Sequence, residues 1–156
     1  MKLTTMATQW SEYAPLLAGA QQQYTQLVLI VGNDPEHNAE ALAYAASLYN
    51  ALPRNLTRDI GALLTTVSTP SDALIELAQS LTDQHSPCFF DAIDILFAKP
   101  SPIRPLQWLQ NLARHQLVVA TWTGPFIHNV LTYATPGHQE YLHESHIHVT
   151  LVNNDA

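Results

Sequence analysis

The chain has 156 residues and a formal net charge of −7, from six basic and thirteen acidic residues, and close to half of its residues are hydrophobic. This composition excludes an intrinsically disordered chain and fits one domain over residues 1–156 with a buried core. Because lysines and arginines hold nucleic-acid phosphates, we do not expect so acidic a chain to bind DNA on its own.

The sequence also bears on the compartment. No apolar run approaches the roughly 20 residues that a membrane span needs, and the start, Met1-Lys2-Leu3-Thr4-Thr5, lacks the apolar centre of a signal peptide. The single cysteine, Cys88, lies in an apolar run, which excludes an internal disulfide and predicts a buried thiol. We therefore expect a cytoplasmic protein with no membrane contact.

The first half of the chain predicts helices alternating with strands. In chain order these are a helix over 10–22, a strand over 27–31, a helix over 35–52, a short strand near 54–56 and a helix over 57–64. The strand over 27–31 is uninterruptedly apolar, which is typical of a central parallel strand covered on both faces. Ser11 and Thr57 are candidate N-caps. We expect Pro53 to end the second helix.

The second half continues the alternation. In chain order it predicts a helix from Thr69 or Ser71 through Leu81, a strand over 88–90, a helix from Pro105, a strand over 117–122, a short strand or loop over 131–134, and a final strand over 147–152 near an edge. This alternation predicts a three-layer α/β domain with a mostly parallel five-stranded sheet. Ligands bind such sheets at the carboxyl ends of the strands, where Gly32, Asp91 and Thr121 should gather.

The first of these strand ends is similar to a phosphate-binding loop, which predicts a P-loop NTPase-like domain. That loop needs Gly, any four residues, and then Gly-Lys-Ser/Thr. The candidate loop comprises Gly32, Asn33, Asp34, Pro35, Glu36, His37, Asn38 and Ala39. Only the first glycine is present, and the last three of these residues replace the second glycine, the lysine and the hydroxyl. The loop is therefore degenerate.

The residues that follow Gly32 favour a loop that caps its own helix. Asp34 is placed as the N-cap and Pro35 as the first helical residue. A carboxylate near a helix N-terminus stabilises it by about 0.3 to 1 kcal/mol, and Asp34 and Glu36 would both repel a triphosphate. We expect no cofactor, and ATP with Mg²⁺ is disfavoured. A divergent loop that still accepts ATP, or another anion, is the alternative.

Two further strand ends carry candidate remnants of catalysis, although no catalytic residue is assigned. Asp91 ends an apolar strand as a Walker B aspartate does, but Ala92 follows it, and Asp94 comes three residues later. Thr121 ends another strand, where additional-strand ATPases place a side chain that senses the γ-phosphate. The plainer alternatives are an aspartate that caps a turn and a threonine bonded to the backbone.

Two clusters have weaker functional interpretations. The tail carries histidines and glutamates in no zinc-binding spacing, so we expect solvated histidines and no metal site: His138, Glu140, His143, Glu144, His146 and His148. Trp108, Trp122, Phe126 and Tyr133 belong either to the core or to an exposed patch for a partner.

The strand ends together resemble BrxF, the small P-loop-like family of type 3 BREX phage-defence systems. The resemblance lies in 27–32, 89–97 and, most specifically, 118–124, and also in 131–141. It implies a role beside a DNA methyltransferase, a large ATPase and a phosphatase-like component. Members of the family are expected to carry Gly-Lys-Thr in the loop, and this chain departs from that pattern at His37, Asn38 and Ala39.

Three functional hypotheses follow. The first is a non-hydrolysing scaffold or regulatory subunit of an anti-phage defence complex, whose partners are other defence proteins. The second is an NTPase whose cation comes from another chain or from Lys99, Arg104 or Arg114. The third is a DNA-associated clamp subunit, which would need a partner to supply basic surface. Self-association is left open.

Overall fold

The structure is a computed structural model, which describes residues 3–7, 12–97, 104–124, 126–127, 130–132, 139–141 and 149–154. The helices are α1 (Tyr13–Ala20), α2 (Pro35–Ser47), α3 (Leu56–Leu63), α4 (Pro70–Gln84) and α5 (Pro105–Ala113), and a 3₁₀ helix spans Ile93–Phe97. The strands are β1 (Leu3–Ala7), β2 (Leu27–Gly32), β3 (Arg54–Asn55), β4 (Cys88–Asp91), β5 (Val118–Thr123), β6 (Phe126–Ile127), β7 (Val130–Thr132), β8 (Gln139–Tyr141) and β9 (Val149–Asn153). None of the described helices is both long and apolar enough to cross a bilayer.

The main sheet is parallel throughout, in the order β1-β9-β2-β5-β4-β3. The five strands predicted for it pair side by side, which confirms the α/β class. The sequence did not predict β1, which adds a sixth strand and moves β9 away from the edge. The predicted strand over 131–134 corresponds to β7, which pairs with β6 and β8 in a separate antiparallel sheet.

Helices cover both faces of the main sheet. On one face Leu27, Leu29 and Val31 pack in a core with residues of α3, α4 and α5. On the other, Val28 and Ile30 pack with residues of α1 and α2. Because successive strand side chains point to opposite faces, a strand covered on both sides must be apolar throughout. The described residues thus form three layers.

Helix ends are where sequence and structure differ most. The prediction that α2 runs to residue 52 is wrong: Asn50 takes a left-handed conformation (φ 54°) and the Ala51 N–H donates to the Ala46 carbonyl at 3.0 Å. These features close the helix in the manner of a Schellman motif, before Pro53 is reached. The predicted α3 cap is also wrong, because Asn55, rather than Thr57, accepts from the Arg58 N–H at 2.9 Å.

The other predicted helix starts differ in outcome. Thr69 caps α4, accepting from the Asp72 N–H at 3.1 Å. Helix α5 begins at Pro105 as expected. The predicted cap of α1, Ser11, lies outside the described residues.

Candidate functional site

The carboxyl edge of the sheet brings the three candidate strand ends together. Strand β5 lies between β2 and β4, and its register pairs Thr121 with Ile30 and Thr123 with Gly32. On its other side Thr121 Oγ1 donates to Asp91 Oδ1 at 2.8 Å. The polar ends of β2, β4 and β5 therefore lie next to one another, as parallel pairing requires.

Asp34 caps α2 with its side chain, as predicted. Its Oδ1 accepts from the N–H of Glu36 at 3.0 Å and of His37 at 3.4 Å, and Pro35 is the first helical residue. The Asn38 N–H donates to the Asp34 carbonyl at 3.0 Å. Two N–H groups of the first helical turn that could otherwise face a phosphate are therefore bonded to the Asp34 side chain, and the Asn38 N–H makes the first bond of the helix. Asp34 and Glu36 are exposed, so their negative charges face any approaching anion.

Behind the cap, a buried pair of amide side chains fills the loop. Asn38 is 1% exposed, and its Nδ2 donates to the Gly32 carbonyl at 3.0 Å. Asn38 Oδ1 accepts from Asn154 Nδ2, also at 3.0 Å, and Asn154 is 5% exposed. The Asn154 N–H in turn donates to the Val31 carbonyl at 2.8 Å. We call Asn38 and Asn154 the amide plug. Asn38 stands at the lysine position of the loop pattern, and it bonds protein rather than ligand.

A second donor fixes the same carbonyl. The Gly124 N–H donates to the Gly32 carbonyl at 3.1 Å. Gly124 has a φ of 141°, a conformation that residues with a Cβ rarely adopt, so glycine is required at this point. The first glycine of the loop is thus held both by the amide plug and by the chain leaving β5.

The two remnants of catalysis meet, but their surroundings differ from a hydrolytic site. Thr121 is buried and bonds the Asp91 carboxylate, so the plainer alternative of a backbone partner is wrong for this hydroxyl. Ala92 has a left-handed φ of 52°, and its carbonyl accepts from the Thr57 N–H at 3.1 Å and from Thr57 Oγ1 at 2.7 Å. The position that would supply a second carboxylate is therefore an alanine turned away from strand geometry. Asp94 lies in the 3₁₀ helix, and its side chain is outside the described set.

The candidate cations do not complete this site. The Arg114 guanidinium lies 5.6 Å from the Tyr24 ring centroid. Both residues stand near the start of β2, where Gln26 bonds Ala113, at the opposite edge from the loop. Arg104 precedes α5 and is exposed. Lys99 lies outside the described residues. Arg114 is therefore excluded as the missing cation within one chain.

Trp108 and Trp122 belong to the core. Trp108 is 6% exposed and its Nε1 donates to the Leu74 carbonyl at 3.1 Å, while Trp122 is completely buried. The hypothesis that both tryptophans form an exposed patch is wrong. Tyr133 and the side chain of Phe126 lie outside the described residues.

The metal-ligating side chains and the cysteine complete the set of candidate residues. No group of three metal-ligating side chains occurs in the part of the chain that is described. The tail histidines His138, His143, His146 and His148 fall outside that part, as does Glu144; Glu140 is described in its backbone only. Cys88 is buried as predicted, and burial raises the pKa of its thiol, against smaller opposing effects of a Gln116 hydrogen bond and the Arg54 charge.

The sequence did not predict two further contacts of the site. Asn154 follows the final strand as an ordinary polar residue, and nothing local indicates that it contacts the loop. The Thr57 contact with Ala92 also joins distant segments.

Comparisons of the chain with protein-family models, with curated proteins and with solved structures find no match. The resemblance drawn from the strand ends therefore stays a prediction.

Proposed function

We propose that the chain is a P-loop-like subunit that does not hydrolyse nucleotide and acts as a scaffold or regulator in a BREX-type anti-phage complex. The observation that carries the first half of this proposal is the filled loop. Asp34 uses the N–H groups of residues 36 and 37, and Asn38 takes the lysine position as a buried structural amide. The second half rests on the resemblance of the strand ends.

The sheet order supports the P-loop-like assignment. Strand β5 is inserted between the strand that precedes the loop and the strand that ends in Asp91. This insertion is the feature after which additional-strand ATPases are named. The order also brings Gly32, Asp91 and Thr121 together at the carboxyl edge, the edge at which α/β sheets bind ligands.

Thermal unfolding with and without ATP·Mg²⁺ tests the loss of nucleotide binding. A ligand at about 100 times its Kd adds about 2.7 kcal/mol of stability, which for a domain of this size raises Tm by several degrees. We expect no shift at millimolar ATP·Mg²⁺. A saturable rise in Tm would overturn the proposal of a closed loop.

A variant with a rebuilt loop tests whether closure of the loop is what prevents ATP from binding. It carries five substitutions that restore the loop pattern: Asp34→Ser, Glu36→Gly, His37→Gly, Asn38→Lys and Ala39→Thr. We expect the folded variant to gain ATP affinity. If it folds and gains none, closure of the loop is not what prevents binding.

A matched pair of smaller variants distinguishes two ways in which the loop could exclude an anion. One is repulsion by the carboxylate charges, and the other is the bonding of the helix N–H groups by the Asp34 side chain. Asp34→Asn with Glu36→Gln removes both charges and keeps a capping side chain, since asparagine caps as well as aspartate. Asp34→Ala with Glu36→Gln removes the cap as well. We expect inorganic pyrophosphate to bind the second variant more tightly than the first, because only the second frees the helix N–H groups. Equal affinity would show that charge alone excludes the anion.

The contact between Thr121 and Asp91 favours one second candidate, a nucleotide-binding ATPase that uses a divergent loop or a cation from another chain. The two candidates differ in what Asp91→Asn should do. A scaffold keeps full protection against phage with this variant, whereas an ATPase loses it. Plating efficiency of phage on cells that carry each variant, with equal protein abundance verified, distinguishes them.

Complex membership has a direct test. A tagged chain purified from its native host should carry stoichiometric amounts of a DNA methyltransferase, a large ATPase or a phosphatase-like protein. Recovery of the chain alone, under gentle salt and at native abundance, would contradict the defence-complex assignment without bearing on nucleotide binding.

A further inference from the structure

The opposite edge of the sheet holds a pocket that none of the loop residues lines. It lies between the segment that joins α2 to β3 and the start of β4, and its volume is about 390 Å³. Pro53, Leu81 and Pro87 contribute apolar lining, and Arg54 contributes a cation. Ligand pockets range from about 300 to 1,000 Å³ and combine apolar walls with a few polar groups. This pocket fits the lower end of that range.

An exposed leucine stands at the pocket. Leu52 lines it and is 85% exposed. The backbone holds Leu52 in place from both sides: the Ala51 N–H closes the end of α2, and Arg54 pairs with Phe90 in the sheet. Leu52 is therefore presented to solvent by a fixed segment. Exposed apolar side chains that adjoin a pocket mark interaction sites more often than isolated ones do.

The pocket is lined by one cation, although the chain as a whole is acidic. Among the described residues that line it, Arg54 is the only charged one. Its side chain is 41% exposed, and Nη1 donates to Asp59 Oδ2 at 3.2 Å. A guanidinium has five N–H donors in a fork, so it can serve a second acceptor. On a chain of net charge −7, an acidic group meets a favourable partner here.

We propose that Leu52 and the pocket beside Arg54, which we call the Leu52 surface, bind a partner protein segment that presents an apolar side chain next to a carboxylate. The apolar side chain enters the pocket against Leu81 and Pro53, and the carboxylate pairs with Arg54. A protein segment fits better than a small molecule because Leu52, which is 85% exposed, extends the apolar lining of the pocket out to the protein surface. The inference does not depend on nucleotide binding, since none of the loop residues 32–39 lines the pocket.

Selection of a random peptide library on the immobilised full-length chain tests this proposal. We expect enriched peptides in which Asp or Glu lies within a few positions of Leu, Ile, Phe or Trp. Anchor residues of an interface dominate its affinity. The Kd of a selected peptide, measured by fluorescence anisotropy, should therefore weaken about tenfold or more with Leu52→Ser and with Arg54→Ala.

Ile75→Ser is the matched control, because Ile75 is 60% exposed on α4 but does not line the pocket. It should leave the Kd unchanged. Repeating the selection on Arg54→Glu should replace acidic residues with basic ones. No enrichment, enrichment of basic peptides on the native chain, or a Kd indifferent to Leu52→Ser would overturn the proposal. Each of these failures leaves the ATP result untouched, so the two proposals fail separately.

Discussion

Asn38 occupies the lysine position of the loop pattern and makes hydrogen bonds to the protein there instead of to a ligand. A lysine ammonium has three donors and no acceptor, so it could not receive the hydrogen bond from Asn154. A buried ammonium also needs a negative partner, which in a working loop is the phosphate. The asparagine amide needs no ligand, because it donates to Gly32 and accepts from Asn154. The side chain at the lysine position therefore needs no phosphate partner.

Removing this amide should cost stability. Asn38→Ala leaves the Gly32 carbonyl with one donor fewer and Asn154 Nδ2 without its acceptor. Since an unsatisfied buried polar group costs about 1 to 3 kcal/mol, we expect a loss of about 2 kcal/mol in urea unfolding.

A double-mutant cycle shows whether the pair acts as one unit. Asn154→Ala alone and combined with Asn38→Ala completes the cycle, and residues that share a hydrogen bond couple by about 0.5 to 3 kcal/mol. Strict additivity of the two single substitutions would contradict the amide plug.

These residues also show why part of the site was predictable. Asp34 bonds N–H groups two and three residues away, so its role follows from local sequence alone. Asn38 bonds a residue 116 positions further along the chain, and no local pattern encodes such a pairing. The Asp34 cap could be predicted, whereas the buried contact between Asn38 and Asn154 could not.

At the scale of elements, the turn after β4 carries backbone strain. Ala92 has a φ of 52°, although left-handed geometry costs a residue with a Cβ about 1 to 2 kcal/mol. Two hydrogen bonds from Thr57 hold it there. The turn ties the start of α3 to the end of β4, beside Asp91.

Replacing this alanine by glycine should therefore stabilise the protein. Glycine relieves the strain but increases the entropy of the unfolded chain, so we expect a net gain of about 0.5 to 1 kcal/mol for Ala92→Gly. Ala43→Gly, at an exposed position inside α2, is the control and should cost up to about 1 kcal/mol. Chemical denaturation of both variants gives the comparison; a destabilised Ala92→Gly would mean that the turn is not strained.

A helix or strand could be predicted where its burial requires a recognisable pattern of apolar residues. The run Leu27–Val31 is apolar throughout because both faces of β2 are covered, and the prediction of a central strand is confirmed. Strand β1 is a short edge strand with two threonines, which gave no such signal. The end of α2 was mistaken because Asn50, rather than Pro53, terminates it.

At the scale of the whole molecule, the phosphate-loop residues and the pocket lie on different parts of the sheet. The carboxyl edge carries Asp34, Glu36 and Asp91, whereas the pocket lies at the start of β4 and is lined by one cation, Arg54, which pairs with Asp59. The two proposed properties, a closed loop and a partner surface, thus belong to separate sets of residues. The fold class and the gathering of strand ends could be predicted, because parallel pairing alone requires them. The pocket could not, since it depends on where α2 ends.

Global stability should depend on the ionisation of Cys88. Burial keeps its thiol protonated in the folded state at pH values where the unfolded chain has lost the proton. The raised pKa therefore contributes stability that is complete below the unfolded pKa and is lost as pH rises through the folded pKa. Between neutral and alkaline pH, the free energy of unfolding should fall more steeply for the native chain than for Cys88→Ser. Parallel urea titrations measure this, and identical slopes would contradict the prediction.

The most direct test of the closed loop is an amide NMR titration of the native chain with ATP·Mg²⁺. We predict that the N–H resonances of Glu36, His37 and Asn38 stay in place up to millimolar nucleotide, because these three donors are already bonded and are flanked by the carboxylates of Asp34 and Glu36. Saturable shifts confined to these residues, with a Kd below millimolar, would show that the loop still binds phosphate and would contradict the account.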